Sequence, residues 1–512
     1  SRFFGNSRRL DVRLPSAMEL SDSTPRFAEQ MLQSLPYLDQ NGPPWPQMPE
    51  TFPAPFSWKD DTALSACFVA ILLVTALANI IFCLPQRSSA SETESNSASQ
   101  AQQLKEGRVD TLALTGLRGF AALHVAVGHY CSFSPLHVDL IGGASMSFFY
   151  LLSGFVMTLG YAKDLLAAEG SVSFRDFNKR RFWRNRFARL FPMYMLTNAL
   201  YFVALHFGSQ GQAAGPLLSS TDFDFNLILT ILGLNMWIFP IDAWLPVDAK
   251  KCCSHSVALP TNFVTWTVQT MAVFYIIFPY MLPWLKAVKR RRLMIHVLFW
   301  LQATTFLAIV LVGCFGTEFR GFNVSYWTAR AWPLSRIPVF AMGCLSAVER
   351  MHGGGHVTFR LRSGGSEPRR WGWRASVLGL CYVLLLAAGV VMNQVPVKDP
   401  NLAMRRDPMV RAFWEALVPL LFIDLILALT HCGENGILAR LCRSKPMEWM
   451  GDIAMSFYMV HITVLLVVVE CLPGKFKDLT NWVVLGSFAG AVFMGWFLTK
   501  FFEDPCRKCL RA

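Results

Sequence analysis

The amino-acid sequence predicts an all-α fold, a polytopic bundle of transmembrane helices, on three observations. Of its 512 residues, 53% are hydrophobic and 16% charged, against roughly 45–50% and about 25% in ordinary soluble domains. The apolar residues gather into runs of about 20, the length a helix needs to cross a hydrocarbon core of roughly 30 Å. The basic residues stand in short clusters between those runs, where the loops on the cytoplasmic side of a membrane protein carry them.

Residues 1–61 are rich in proline, as in Gly42-Pro-Pro-Trp-Pro-Gln-Met-Pro49. Proline forbids long helices, so this stretch reads as an extended or irregular segment, and it lacks the apolar core of a signal peptide. The run 62–84 carries no charge and is long enough to span, giving a preliminary transmembrane helix. Residues 85–107 are rich in Ser, Ala, Gln and Glu and read as a flexible cytoplasmic linker. The main domain, 108–512, contains apolar runs at about 112–131, 140–161, 190–208, 225–241, 262–284, 294–314, 332–349, 375–393, 410–430, 454–472 and 482–502.

The basic clusters Lys179–Arg189, Lys286–Arg292, Arg350–Arg374, Arg440–Lys445 and Arg507–Arg511 set the orientation. If every run crossed, the first two clusters would lie on opposite faces. The conflict disappears if 225–241 is re-entrant. That run is short, contains Asn226 and Asn235 and ends in Pro240, and such interrupted segments are tolerated when buried in protein. The expectation is then ten core crossings plus the preliminary one, with the basic loops and C-terminus cytoplasmic. The N-terminal extension falls on the luminal or extracellular side, together with the sequon Asn323-Val-Ser325.

The net charge of +13 follows from those clusters and does not call for nucleic acid. Of thirteen cysteines, Cys67, Cys83, Cys131, Cys314, Cys344 and Cys381 sit inside apolar runs, where a thiol behaves as a small hydrophobe. They are no disulfide framework. Cys506-x-x-Cys509 has no second ligand pair nearby, so no metal is expected; the adjacent Cys252 and Cys253 have no assigned role.

Ionisable residues in membrane helices are costly, and each is a functional hypothesis. Arg118 and His129 are eleven residues apart, about 1100° of helix rotation, so they share one face, with roughly 16 Å of rise between them. Arg118 suits holding an anion or polarising a carbonyl, and His129 suits a general base near neutral pH. The alternative for Arg118 is a snorkelling anchor. His124, about 140° from His129, reads as a packing residue. Arg186 and Arg189, three apart on one helix face, suit phosphate oxygens, or else serve as a topological anchor. Glu415 and Asp424 lie about 180° apart on their helix, so at most one faces such a site.

Several ordered motifs carry a resemblance to a known family. They are Thr115-Gly-Leu-Arg118-Gly-Phe-Ala-Ala with His129, Ser147-Phe-Phe-Tyr-Leu-Leu-Ser153-Gly154-Phe, and Arg186-x-x-Arg189-x-x-Pro192-x-Tyr194. Arg336-x-Pro338-x-Phe340-x-x-Gly343, Ser456-Phe-Tyr458-Met-Val-His461 and Glu503-Asp-Pro505-x-Arg507 follow in order. The chain resembles the acyltransferase-three family of membrane O-acyltransferases, and its N-terminal extension resembles that of animal members. The resemblance implies an acyl-CoA donor, often acetyl-CoA, reached from the cytoplasm, and a hydroxyl acceptor, often a carbohydrate, from the far side. It implies that Arg118 and His129 are essential, and it puts donor binding on Arg118, Ser153, Arg186, Arg189 and Tyr194. His461, Arg336 and Gln269 are further candidates, His461 ranking below His129 as the base and equally suited to structural hydrogen bonding.

The sequence departs from the family pattern at two places. Thr115 stands where many members have Asp, and Trp266-Thr-Val-Gln-Thr-Met-Ala-Val-Phe-Tyr275 lacks the acidic residues usual between Trp and Phe-Tyr. Gln269 cannot act as a base. These departures keep a second reading open, a non-enzymatic transporter or lipid-handling protein on the same bundle, beside a structural or signalling role.

Overall fold

The computed structural model describes residues 109–134, 138, 140–167, 175, 177–208, 221–237, 262–315, 329–352, 354, 357, 367–394, 400–472 and 479–511. The N-terminal extension, the preliminary helix, the 85–107 linker, Cys252, Cys253 and the sequon at Asn323 lie outside them. Every regular element among the described residues is helical.

The helices are α1 (Leu112–Phe133), α2 (Gly143–Met157, continued by a π-turn at Thr158–Ala162), α3 (Lys179–Gly208) and α4 (Thr221–Leu232). There follow α5 (Trp266–Ala287), α6 (Arg291–Phe315), α7 (Pro333–Met351), α8 (Glu367–Gln394) and α9 (Pro400–His431). The last four are α10 (Ile437–Cys442), α11 (Lys445–Glu470), α12 (Asn481–Leu498, widened into a π-turn at Thr499–Glu503) and α13 (Asp504–Arg511).

Among the described residues, six stretches are long and apolar enough to cross a membrane: Gly143–Ala162, Trp266–Ala287, Pro368–Met392, Val410–His431, Lys445–Glu470 and Asn481–Leu510. Among the remaining long helices, α1 carries Arg118 and two histidines, α3 opens on Lys179–Arg189, and α7 holds Arg336, Glu349 and Arg350. Polar side chains dilute the hydropathy of these elements. On α8, Leu380, Val383, Leu384 and Val391 point outward, an apolar face suited to hydrocarbon. At α4 the helix is only twelve residues and ends at Gly233, whose φ of 69° turns the chain.

Helix pairs close through glycine. A Cβ on Gly116 would overlap the Cys442 carbonyl, one on Gly119 would come within 2.9 Å of the Gly451 nitrogen, and one on Gly451 would overlap the Thr115 carbonyl. Where lipid is as apolar as the protein, helix association depends on such close backbone contact. The second crossing, α2 on α7, uses Gly154 against the Phe340 carbonyl and Gly343 against the Leu151 carbonyl. Glycines at four motif positions therefore serve packing.

Buried ion pairs lock the remaining layers. Glu415 on α9, with no exposed surface, takes Arg336 of α7 at 2.7 Å and Arg330 at 3.5 Å. Arg336 also donates to the Arg330 carbonyl (2.9 Å) and lies over the Phe306 ring (4.7 Å). Asp424, further along α9, accepts from Arg374 of α8 (2.8 Å) and from the Val357 N–H (2.7 Å). Glu349 of α7 receives Arg291 and Arg292 of α6 at 3.1 and 2.6 Å. Although Glu415 and Asp424 point to opposite sides of α9, both are buried, because neighbours enclose the helix on both sides.

Two outcomes are expected. Gly451→Leu should drive α1 and α11 apart and lower the melting temperature of the detergent-solubilised protein by several degrees, whereas Gly160→Ala, with nothing within 4 Å of a new Cβ, should leave it unchanged. Truncating one partner of a buried ion pair typically costs about 3–5 kcal/mol. Glu415→Ala should therefore unfold at clearly lower temperature than an exposed control such as Lys445→Ala, by the same measurement.

Candidate active site

Arg118 sits two turns into α1 and lies over the start of α11. Its Nε donates to the Gly451 carbonyl at 2.9 Å and its Nη2 donates to the same oxygen. The glycine contact between the two helices makes this reach available, since a side chain on Gly451 would hold α11 away. Arg118 thus has one carbonyl partner and keeps its remaining N–H donors for the cavity beside it.

That cavity encloses about 970 Å³, counting its open mouth, between α1, α2, α3, α5 and α11. One part of its wall is cationic, with Arg118, Arg186 and Arg189, beside the carboxylate of Asp452. Another part is formed by Ser153, Tyr275, Thr267 and Tyr458, and the rest is apolar, including Met146, Met157, Met271, Met455 and Met459. Arg186 is held by its Nη2 on the Tyr161 hydroxyl (2.7 Å), over the Tyr161 ring (4.9 Å) and near that of Tyr275 (5.8 Å). Its Nε is buried and has no hydrogen-bond partner, so the guanidinium retains a donor for an anion. Ser153 donates a long bond to the Tyr275 hydroxyl, at 3.5 Å.

His129 is not part of the cavity wall. Its Nδ1 lies 2.8 Å from Nε2 of His461 on α11, the two rings nearly parallel at 8° with centroids 5.1 Å apart. His461 Nδ1 is in turn 2.6 Å from the Tyr458 carbonyl oxygen. The Tyr458 ring, which does line the cavity, stands 5.8 Å from that of His461, and its hydroxyl is tied to Thr267 (3.0 Å) and the Val264 carbonyl (2.8 Å). Cavity and histidine pair therefore adjoin through Tyr458. On α1, beside His129, Tyr130 donates to the His461 carbonyl (2.8 Å).

The other sequence candidates lie elsewhere. Tyr194 and Gln269 line a second, mostly apolar cavity between α3, α4 and α5, which shares Arg186, Leu190, Val268 and Tyr275 with the first. Gln269 donates to the Tyr194 hydroxyl (2.8 Å) and Asn235 (2.9 Å) and accepts from the Met236 N–H (3.1 Å). Tyr194 donates to the Thr230 carbonyl. These bonds fasten the broken end of α4 to α5. Arg336 is fully buried on Glu415 and lines neither cavity. His124 pairs with Ser145 and the Leu140 carbonyl, both at 2.7 Å, and so fastens α1 to the start of α2.

Sequence reasoning missed Asp452, Thr267 and Tyr275. Asp452 follows the packing glycine Gly451 at the head of an apolar run, and an acid in that place was the available signal. Among the described residues no three His, Cys, Asp or Glu side chains converge as a metal would require, and Cys131, Cys344, Cys432 and Cys442 are buried free thiols.

Comparison with known proteins places these observations. A family model described as an acyltransferase domain matches residues 111–500. The chain is 26% identical to acyltransferase MdmB of Streptomyces mycarofaciens over 426 residues, covering 78% of this chain and 92% of that one. It is 20% identical to peptidoglycan O-acetyltransferase OatA of Listeria monocytogenes over 412 residues, 77% of this chain but 56% of the relative. A shorter similarity, 38% over 105 residues, joins it to protein 2 in the picA locus of Rhizobium radiobacter, over 19% of this chain and 47% of that one. No solved structure matches. With the match running from the helix that bears Arg118 and His129 to the one that ends at Glu503, the chain belongs to the acyltransferase-three family of multi-pass membrane proteins.

Proposed function

We propose that the protein moves an acyl group, acetyl in the first instance, from a CoA thioester to a hydroxyl acceptor. The observation that supports it is the cavity lined by Arg118, Arg186 and Arg189 adjoining the His129–His461 pair. Arginines suit the phosphates of CoA, which a planar guanidinium can bind in two-pronged fashion. His129, roughly 16 Å along α1 from Arg118, suits a group that must meet the far end of an extended pantetheine.

In the reaction, the acceptor hydroxyl gives its proton to His129 while its oxygen forms a bond to the thioester carbonyl carbon. The C–S bond then breaks, and the proton that His129 took passes to the leaving thiolate, giving CoA and a neutral His129. Arg118 has donors to steady the phosphates or the carbonyl oxygen as negative charge develops. The names of MdmB and OatA, an acyltransferase and an O-acetyltransferase, support the same class of reaction.

The reading includes a topology. Ten core crossings with α4 re-entrant put the basic clusters and the C-terminus on the cytoplasmic face, where CoA is found, and put the acceptor on the other face with the N-terminal extension. Support comes from the twelve-residue length of α4, about 18 Å of helix against the roughly 30 Å of a hydrocarbon core.

A second reading, a transporter or lipid-handling protein, is favoured by one arrangement. Gln269, in the stretch that lacks acids, is committed to Tyr194, Asn235 and Met236 beside an apolar cavity.

Purified protein given acetyl-CoA and hydroxyl acceptors should release free thiol. His129→Ala should reduce that rate by about 10²–10⁴-fold, the usual contribution of a general base, while calorimetry still detects CoA. Arg186→Ala should weaken CoA binding in the same titration. Binding without turnover by any acceptor selects the transporter, and no CoA binding refutes both. For the topology, a cysteine in place of Lys445, whose side chain is exposed, should react with a membrane-impermeant maleimide only after the cytoplasmic face is opened.

A further inference from the structure

The hydrogen bonds around His461 determine which nitrogen of His129 can act. A carbonyl oxygen only accepts, so the 2.6 Å contact between the Tyr458 oxygen and His461 Nδ1 requires the proton on Nδ1. A neutral His461 then carries its lone pair on Nε2. That lone pair lies 2.8 Å from His129 Nδ1, and the contact is a hydrogen bond only if His129 Nδ1 holds the proton. A neutral imidazole has one N–H, so the lone pair of His129 is on Nε2. A doubly protonated His461 would reverse the polarity, but it would place a cation on a side chain with no exposed surface, which is costly.

The order of residues in the motif makes this arrangement. Tyr458 and His461 are three apart on α11, so the His461 ring folds back onto the carbonyl one turn earlier, and the direction of its Nε2 is set within its own helix. Tyr130, next to His129 on α1, donates to the His461 carbonyl at 2.8 Å and fixes the rotation of α11 against α1. The ring of Phe457 (6.0 Å) packs on His461 as well. Among the described residues, ionisable groups that face the pair include Tyr130 from α1, Tyr458 from α11 and Arg330 from the segment leading into α7, whose charge acts on His129.

We propose that His461 is a positioning residue. It holds His129 in the Nδ1–H tautomer so that Nε2 is the nitrogen that accepts the acceptor's proton, and the Tyr458 carbonyl closes the chain. The bond also stabilises the imidazolium that His129 becomes, because its Nδ1–H then donates more strongly to a neutral acceptor. This inference rests on His129 being the base in acyl transfer, but its structural part, the tautomer, holds or fails by itself.

Two measurements test it. In protein labelled with ¹⁵N-histidine, the His129 signals, assigned by their loss in His129→Asn, should show a protonated Nδ1 and an unprotonated Nε2. The opposite tautomer in the folded wild-type protein overturns the proposal whether or not the protein turns over acetyl-CoA. In steady-state kinetics, His461→Gln keeps an acceptor in place of Nε2 and should retain most of kcat. His461→Leu removes it and should lower kcat roughly tenfold or more, part of the 10²–10⁴ that a base supplies. It should also move the acidic limb of the pH–rate profile, with KM for acetyl-CoA unchanged. Equal losses in Gln and Leu variants of equal thermal stability, or an unchanged profile in Leu, overturn the positioning role. If the Leu variant does not fold, the ¹⁵N spectrum of the wild type still decides.

Discussion

The close crossing of α1 over α11 is the constraint on which the rest of the site depends. Thr115 and Gly119 meet Gly451 and Met447 at backbone distance, with Gly116 against Cys442 at the end of the preceding α10, and this contact fixes both rotation and register of α1 against α11. At one end it lays the Arg118 guanidinium on the Gly451 carbonyl. About three turns further along it sets His129 against His461, and Tyr130 against the His461 carbonyl. A slip of one residue would turn each helix by about 100° and separate all three pairs. The Arg118 end and the His129 end of the candidate site are thus held at fixed spacing by a single interface.

Charged side chains in the bundle divide by their partners. Arg336 with Glu415 and Arg374 with Asp424 neutralise one another in the interior between neighbouring helices, and Glu349 is shared by Arg291 and the half-exposed Arg292. In a medium without water such pairs tolerate burial, and they join α6, α7, α8 and α9 into one unit. Arg118, Arg186 and Arg189 differ in lining a cavity. The default that an ionisable residue in a membrane marks function therefore separates correctly only once the partner of each charge is known. Glu415 shows the point, since its helix position alone left open whether it faced the site.

The Trp266–Tyr275 stretch shows how one helix serves two cavities. Thr267 and Met271 line the cationic cavity, Gln269, Ala272 and Val273 line the apolar one, and Val268 and Tyr275 touch both. Without acids, α5 contributes hydroxyls to the first cavity, and through Gln269 a bracket for α4 to the second. Tyr194, which the motif grouped with the arginines, belongs to that bracket because it lies eight residues beyond Arg186, two turns deeper on α3.

The sequence by itself determined the helical membrane class and the family, and it placed Arg118 and His129 on one face of one helix. Run length, charge placement and helix periodicity are local properties that survive without knowledge of neighbours. It also showed that Arg186 and Arg189 share a face, because a three-residue spacing fixes that within one helix. Only the tertiary structure decided that His461 meets His129, that Arg336 is a brace and that Asp452 and Tyr275 join the cavity. Those outcomes depend on contacts between residues as many as 332 positions apart, and on which helix faces turn inward together. Periodicity says which side chains share a face; packing alone says what that face meets.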